Sequence, residues 1–183
     1  MTLQEGKRKV CELLDEYGLG GGVDAELEAK MADLFDMAQK DLAARCPIVR
    51  SFTLTRIPGV TEYEMPRDFR TLRYIERDGV NRTSRYRWRG EKLVVPENER
   101  GVIEIGYTAI PATISPDTPE STAFEIREDA QQAMPFFVAA MVLANDLVSD
   151  ANIFLAMYRM AADSLPEESS PAPIRLRCTL FRG

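Results

Sequence analysis

The spacing of apolar residues changes twice along the chain, and each change marks a boundary between kinds of structure. From Leu3 to Leu42 they recur every three or four positions, as one face of a helix requires. From Ile48 the interval drops to two. Phe52 and Leu54 fall on one side and Thr53 and Thr55 on the other, which is strand periodicity. Beyond Asp129 the helical interval returns. Two helical ends around an alternating middle predict an α+β chain: a helical bundle formed by N- and C-terminal helices, an inserted small antiparallel β-subdomain, and an extended C-terminal arm.

Local signals place the boundaries. Thr2 followed by Glu5 has capping-box spacing and predicts a helix over 2–17 with Leu3, Val10, Leu13, Leu14 and Tyr17 on its apolar face. Gly18-Leu-Gly-Gly-Gly22 ends it, since each glycine costs ~1 kcal/mol of helix relative to alanine. This run reads as a linker; it lacks the preceding strand and the following Gly-Lys-Ser/Thr of a phosphate loop. Asp24 then caps a helix over 24–46, striped by Leu27, Met31, Leu34, Phe35, Ala38 and Leu42 and stopped by Pro47. The turn dipeptides Pro58-Gly59, Asp78-Gly79 and Arg89-Gly90 cut residues 48–110 into short strands, including Arg85–Trp88. Helices over 129–147 and 151–164 follow, the second capped at Ser149 or Asp150, with Pro135 forcing a later start or a kink in the first.

Residues 1–165 are thus expected to form one domain and 166–183 an arm. In the arm Pro166, Pro171 and Pro173 lead into Ile174, Leu176, Cys178 and Leu180, which alternate with polar residues. Such a segment exposes apolar surface and unpaired backbone groups, so it is expected to dock on a partner or a sheet edge. Its contact area comes from Ile174, Leu176, Leu180 and Phe181, and its ionic partners are Arg175, Arg177 and Arg182.

Composition narrows the chemistry. There is no histidine, which removes Ser-His-Asp and Cys-His catalysis and the usual zinc sites. Cys11, Cys46 and Cys178 are too scattered for a disulfide framework or a metal cluster. A carboxylate hydrolase needs two acids converging in a cleft, whereas Asp15, Glu16, Asp24, Glu26, Glu28, Asp33 and Asp36 lie mostly opposite the apolar helix stripes. The expectation is no catalytic residue, no cofactor and no metal. Arg82, Arg85, Arg87 and Arg89, interleaved with Tyr86 and Trp88, have a composition that could bind nucleic acid. Strand alternation instead sends the two aromatics into the core and the arginines to the opposite face. No run nears the ~20 apolar residues of a membrane span, and Glu5, Lys7, Arg8 and Lys9 occupy the place of a signal-peptide core, so a soluble cytoplasmic product is expected. The net charge of −6 is unevenly spread. Residues 48–110 hold 12 basic and 9 acidic groups, 111–173 hold 2 and 10, and the last ten residues hold 3 and none, a polarity suited to self-association.

Three segments carry a resemblance. They are the paired N-terminal helices, the stretch Tyr63-Glu-Met-Pro-Arg-Asp-Phe69, and Ile103-Glu-Ile-Gly-Tyr-Thr-Ala-Ile-Pro111. Together they resemble the phage head-to-tail adaptor family, which includes the tail accessory factors of short-tailed phages and the connectors of long-tailed ones. The first stretch is similar to that family's Tyr-x-Leu-Pro-x-Asp-Phe segment, with Met65 in place of leucine. The second is similar to its strand ending in a tyrosine, here Tyr107, before a proline, here Pro111. In physical terms Tyr63 and Met65 can anchor a strand end, Pro66 stops pairing, and Asp68 can cap the turn that returns Phe69 to the core.

The resemblance implies a non-enzymatic structural protein of the virion neck, made in the host cytoplasm. It implies a ring of about twelve copies beneath the portal that receives the tail or next connector on its other face. DNA would pass through the centre without specific binding, and the protein alone could be monomeric. A stopper or tail-terminator ring is the alternative within virion assembly, and a nucleic-acid-binding module using Arg82–Arg89 is the alternative outside it.

Overall fold

The computed structural model describes residues 1–16, 25–99, 101–144 and 147–166. Helix α1 (Leu3–Glu16) opens with the reciprocal bonds its sequence encodes: the Thr2 N–H donates to Glu5 Oε2 at 2.9 Å and the Glu5 N–H to Thr2 Oγ1 at 3.2 Å. Helix α2 (Ala25–Arg45) buries Met31, Phe35, Ala38 and Leu42. The expected linker at Gly18–Gly22 and the expected cap Asp24 lie outside the described residues.

The C-terminal helices are α3 (Glu128–Gln131), α4 (Met134–Leu143) and α5 (Val148–Asp163). The single helix expected over 129–147 is therefore two pieces. Pro135 has no N–H to give, and its ring would collide with the carbonyl of Gln131 four residues back. The helix accordingly breaks after Gln131 and restarts with Pro135 in its first turn, where no donor is required. The last helix starts earlier than its sequence suggests. The Leu147 carbonyl already accepts the Ala151 N–H at 3.0 Å, so Ser149 and Asp150 sit inside the first turn and neither is the cap.

α4 is the hub of the bundle. Met134, Val138, Ala139, Ala140 and Leu143 are buried against α1, α2 and α5, in a cluster that also holds Leu3, Val10, Phe35, Leu42, Phe154 and Tyr158. Small residues at 139 and 140 permit this close approach. At the edge of the cluster the Tyr158 hydroxyl donates to Asp41; burial, followed by that bond to a carboxylate, pushes its pKa well above the usual tyrosine range.

Residues between the two helical ends form two antiparallel sheets. The larger has the order β1-β7-β3-β4, from β1 (Ile48–Thr55), β7 (Val102–Ala109), β3 (Phe69–Arg77) and β4 (Val80–Asn81). β1 and β7 pair along their whole length, from Ile48 opposite Ala109 to Thr55 opposite Val102. The smaller sheet has the order β2-β6-β5, from β2 (Glu62–Glu64), β6 (Lys92–Val94) and β5 (Arg87–Arg89). Tyr63, Ile75, Tyr86, Leu93, Val95, Ile103 and Ile105 from both sheets share one apolar cluster, separate from that of the bundle. Asp78 and Gly79 both have positive φ, the geometry that a two-residue hairpin turn demands and Asp-Gly supplies. The whole is the α+β arrangement expected: helices from both chain ends flanking an inserted antiparallel β-subdomain.

One strand differs. Thr83–Arg85 is a turn of 3-10 helix, and β5 begins only at Arg87. Tyr86 is buried, as strand alternation implied, but Trp88 is 42% exposed and leans on Phe69 with ring centroids 5.4 Å apart. β5 is a three-residue edge strand lying outside the apolar cluster, so alternation there does not lead into a core.

Candidate functional site

The β-subdomain is joined to the bundle by a buried-to-surface chain of polar contacts centred on Arg50. β1 carries Arg50 opposite Tyr107 on β7. Its guanidinium donates to Asp68 Oδ2 at 2.5 Å and to Glu125 Oε1 at 2.8 Å. The Tyr107 hydroxyl donates to the Asp68 carboxylate at 3.1 Å and 3.2 Å. Glu125, in the connection between β7 and α3, accepts the Ala112 N–H at 2.7 Å through its other oxygen. Its own N–H donates to Gln39 Oε1 at 2.9 Å, and the Gln39 amide donates to the Ala112 carbonyl at 3.2 Å. Gln39 lies on α2 and is fully buried. Strand, connection and helix are thus locked by groups that all have partners.

Charge and burial reinforce this clasp. Burial alone would lower the Arg50 pKa, but the hydrogen bonds to Asp68 and Glu125 outweigh it and raise the value. Tyr107 is also pushed up, first by burial and then by its bond to Asp68, which keeps its proton in place as a donor. Around it, Phe69 stacks on Tyr107 at 5.7 Å and Phe52 meets the same ring edge-on at 5.9 Å.

The structure therefore places the motif residues in two groups. Asp68, Phe69 and Tyr107 converge on the clasp, with Pro111 buried beside Ala112. Asp68 does not cap its turn with its side chain as the sequence suggested. The turn is closed by the backbone, from the Phe69 N–H to the Pro66 carbonyl at 2.9 Å, which frees the carboxylate for Arg50. Tyr63 works elsewhere: its hydroxyl accepts the Ile57 N–H at 2.9 Å and pins the Pro58-Gly59 turn, while Met65 packs at the edge of the β cluster.

The docking residues Ile174, Arg175, Leu176, Arg177, Leu180, Phe181 and Arg182 lie outside the described residues. Arg50, Glu125 and Gln39 are members of the clasp that sequence reasoning missed. An arginine inside an otherwise Thr- and aliphatic-rich strand is a weak signal for the first, and nothing local points to the others.

Of the helix acids considered earlier, Asp15, Glu26, Glu28 and Asp33 are exposed, as a solvated face requires. Asp68 and Glu125 share Arg50, and Asp36 bonds Lys40 at 2.6 Å and the Ile114 N–H at 3.0 Å. Among the described residues no group of three or more Cys, Asp or Glu is placed to hold a metal ion, and no helix is long and apolar enough to cross a membrane. What the arrangement can do is tie the β-subdomain to the bundle through paired charges and hydrogen bonds.

The chain was also compared with known proteins. The family model described as SU10 adaptor protein matches residues 1–177. No curated protein matches the chain.

Proposed function

Because the chain belongs to the SU10 adaptor protein family, a family of phage structural adaptor proteins, we propose that it forms a ring on the portal at the virion neck and couples it to the tail. The match over residues 1–177 carries this reading, since it takes in both helical ends, the β-subdomain and the start of the arm. In this reading the bundle and the β-subdomain are load-bearing blocks, and the Arg50 clasp keeps their relative orientation when neighbours press on them. About twelve copies enclose the channel in a closed cyclic assembly, the number that the family resemblance implies. An overall charge of −6 suits a conduit for DNA, because a lumen rich in Lys and Arg would hold phosphates and slow their passage.

The arm is the element that reaches the partner. Ile174, Leu176, Leu180 and Phe181 supply apolar area, and Arg175, Arg177 and Arg182 pair with acidic groups of the portal or of an adjacent subunit. Ordering the arm's basic end has an entropic cost that the portal interface offsets, so rings form on the portal and the free protein stays monomeric. The test is to remove the residues after Leu165. Affinity for the cognate portal should fall at least tenfold, about 1.4 kcal/mol, while the helical circular dichroism of the chain is kept. Unchanged affinity in a folded truncation would show that the described domain alone makes the contact.

A further inference from the structure

A groove of about 770 Å³ lies between β3, the β2–β3 connection and the β5–β6 hairpin. Its apolar lining includes Pro66, Phe69, Leu72 and Trp88. One wall is the stretch of β3 from Phe69 to Leu72. That stretch pairs with β7 on its far side, while β4 reaches only Glu76 and Arg77, so no strand lies alongside it in the groove. An aromatic floor next to an open strand edge is a shape that receives an extended peptide.

Charge selects the kind of peptide. Lys92 at the rim is taken by Glu64 at 3.5 Å, and nearby Arg89 by Glu62 at 2.6 Å. Arg67 is exposed with no ion pair among the described residues, and Arg70 makes only a 3.4 Å contact with the Ala43 carbonyl. Two cations are therefore available for acidic groups. That same contact fixes where the groove lies: its Arg70 rim abuts the last turn of α2. The last turn of α5 abuts it too, through Arg45 and Asp163 at 2.7 Å. The chain thus leaves α5 close to the groove, and the residues that come next are Pro166, Glu167, Glu168, then Pro171 and Pro173. Prolines favour the extended polyproline conformation that aromatic grooves accept at low entropic cost.

We propose that this groove is an intramolecular seat for residues 166–173 of the same chain, with Glu167 and Glu168 on Arg67 and Arg70 and the prolines against Phe69 and Trp88. The seat requires no portal and stands whether or not the arm grips one. A tethered segment needs little intrinsic affinity, because its effective concentration is in the millimolar range. The contact holds the arm at the β-subdomain and leaves its basic end, from Arg175 on, as the part presented to partners.

Trp88 is the chain's single tryptophan, so its fluorescence reads the groove directly. Acrylamide quenching is compared between the wild-type full chain, the full chain carrying Glu167→Arg and Glu168→Arg, and the full chain carrying those two changes together with Arg67→Glu. The double variant should raise the quenching constant about twofold, and the added Arg67→Glu should lower it again, at every protein concentration, as expected of a tethered contact. Equal quenching in all three overturns the proposal. Protection that vanishes on dilution overturns it in favour of a second copy's arm. If an oligothymidylate at physiological salt shields Trp88 while the glutamate changes do nothing, the groove belongs to nucleic acid.

Discussion

Phe35→Ala is expected to destabilise the protein by about 3–5 kcal/mol, the range for removing a fully buried aromatic side chain. Phe35 is completely buried on α2, and its ring lies 5.3 Å from that of Phe124 in the connection before α3. On its other side it packs so closely on α1 that a Cβ placed at Gly6 would sit 2.9 Å from the ring. One side chain thus fills the junction of two helices and the connection, and no neighbour is free to collapse into the space. Against a typical total of about 5–15 kcal/mol this is a large fraction. For a chain of this size it corresponds to a fall of roughly 10 °C in Tm by calorimetry or circular dichroism. A loss below about 1 kcal/mol would show that the bundle is not close-packed at this point.

Arg50→Glu is expected to be nearly as damaging, for a different reason. Asp68 and Glu125 both bond Arg50, so the substitution sets a third carboxylate between two others. The clasp side chains are 25% to 38% exposed, which screens the repulsion, and we expect a loss of about 2–3 kcal/mol. Arg50→Met, which removes the charge and keeps the bulk, should cost less than Arg50→Glu. The functional effect should exceed the thermodynamic one, because the β-subdomain would lose its fixed angle to the bundle. Hydrogen exchange should then rise in the segment from Ala109 to Glu125 while the interior of α4 stays protected. Equal protection of that segment in variant and wild type would mean that the clasp is not what orients the two parts.

The sequence carried the local half of this structure. The Thr2 and Glu5 capping box, the alternation of β1 and the break at Pro135 each depend on residues within one or two turns of each other, so local spacing was enough to find them. The clasp depends on contacts that local spacing cannot encode. Asp68 meets Tyr107 across 39 residues and Arg50 meets Glu125 across 75, and each has an innocuous local reading as a turn cap or a surface charge. Trp88 misled for a related reason: an alternating pattern says which side of a strand a residue takes but not whether that side is covered. In β7 alternation fails outright, with Ile105 to Ala109 all buried. Gly106 lies there beneath the ring of Tyr74, where a Cβ would come within 2.2 Å of the ring, and only the cross-strand partner reveals why glycine is needed.

The measurement that bears most directly on the adaptor reading is the mass in solution of the full chain, alone and after mixing with its cognate portal. The account predicts a single chain when alone and, on the portal, a complex heavier by one closed ring of subunits. A protein whose mass is unchanged by the portal at micromolar concentration would contradict it.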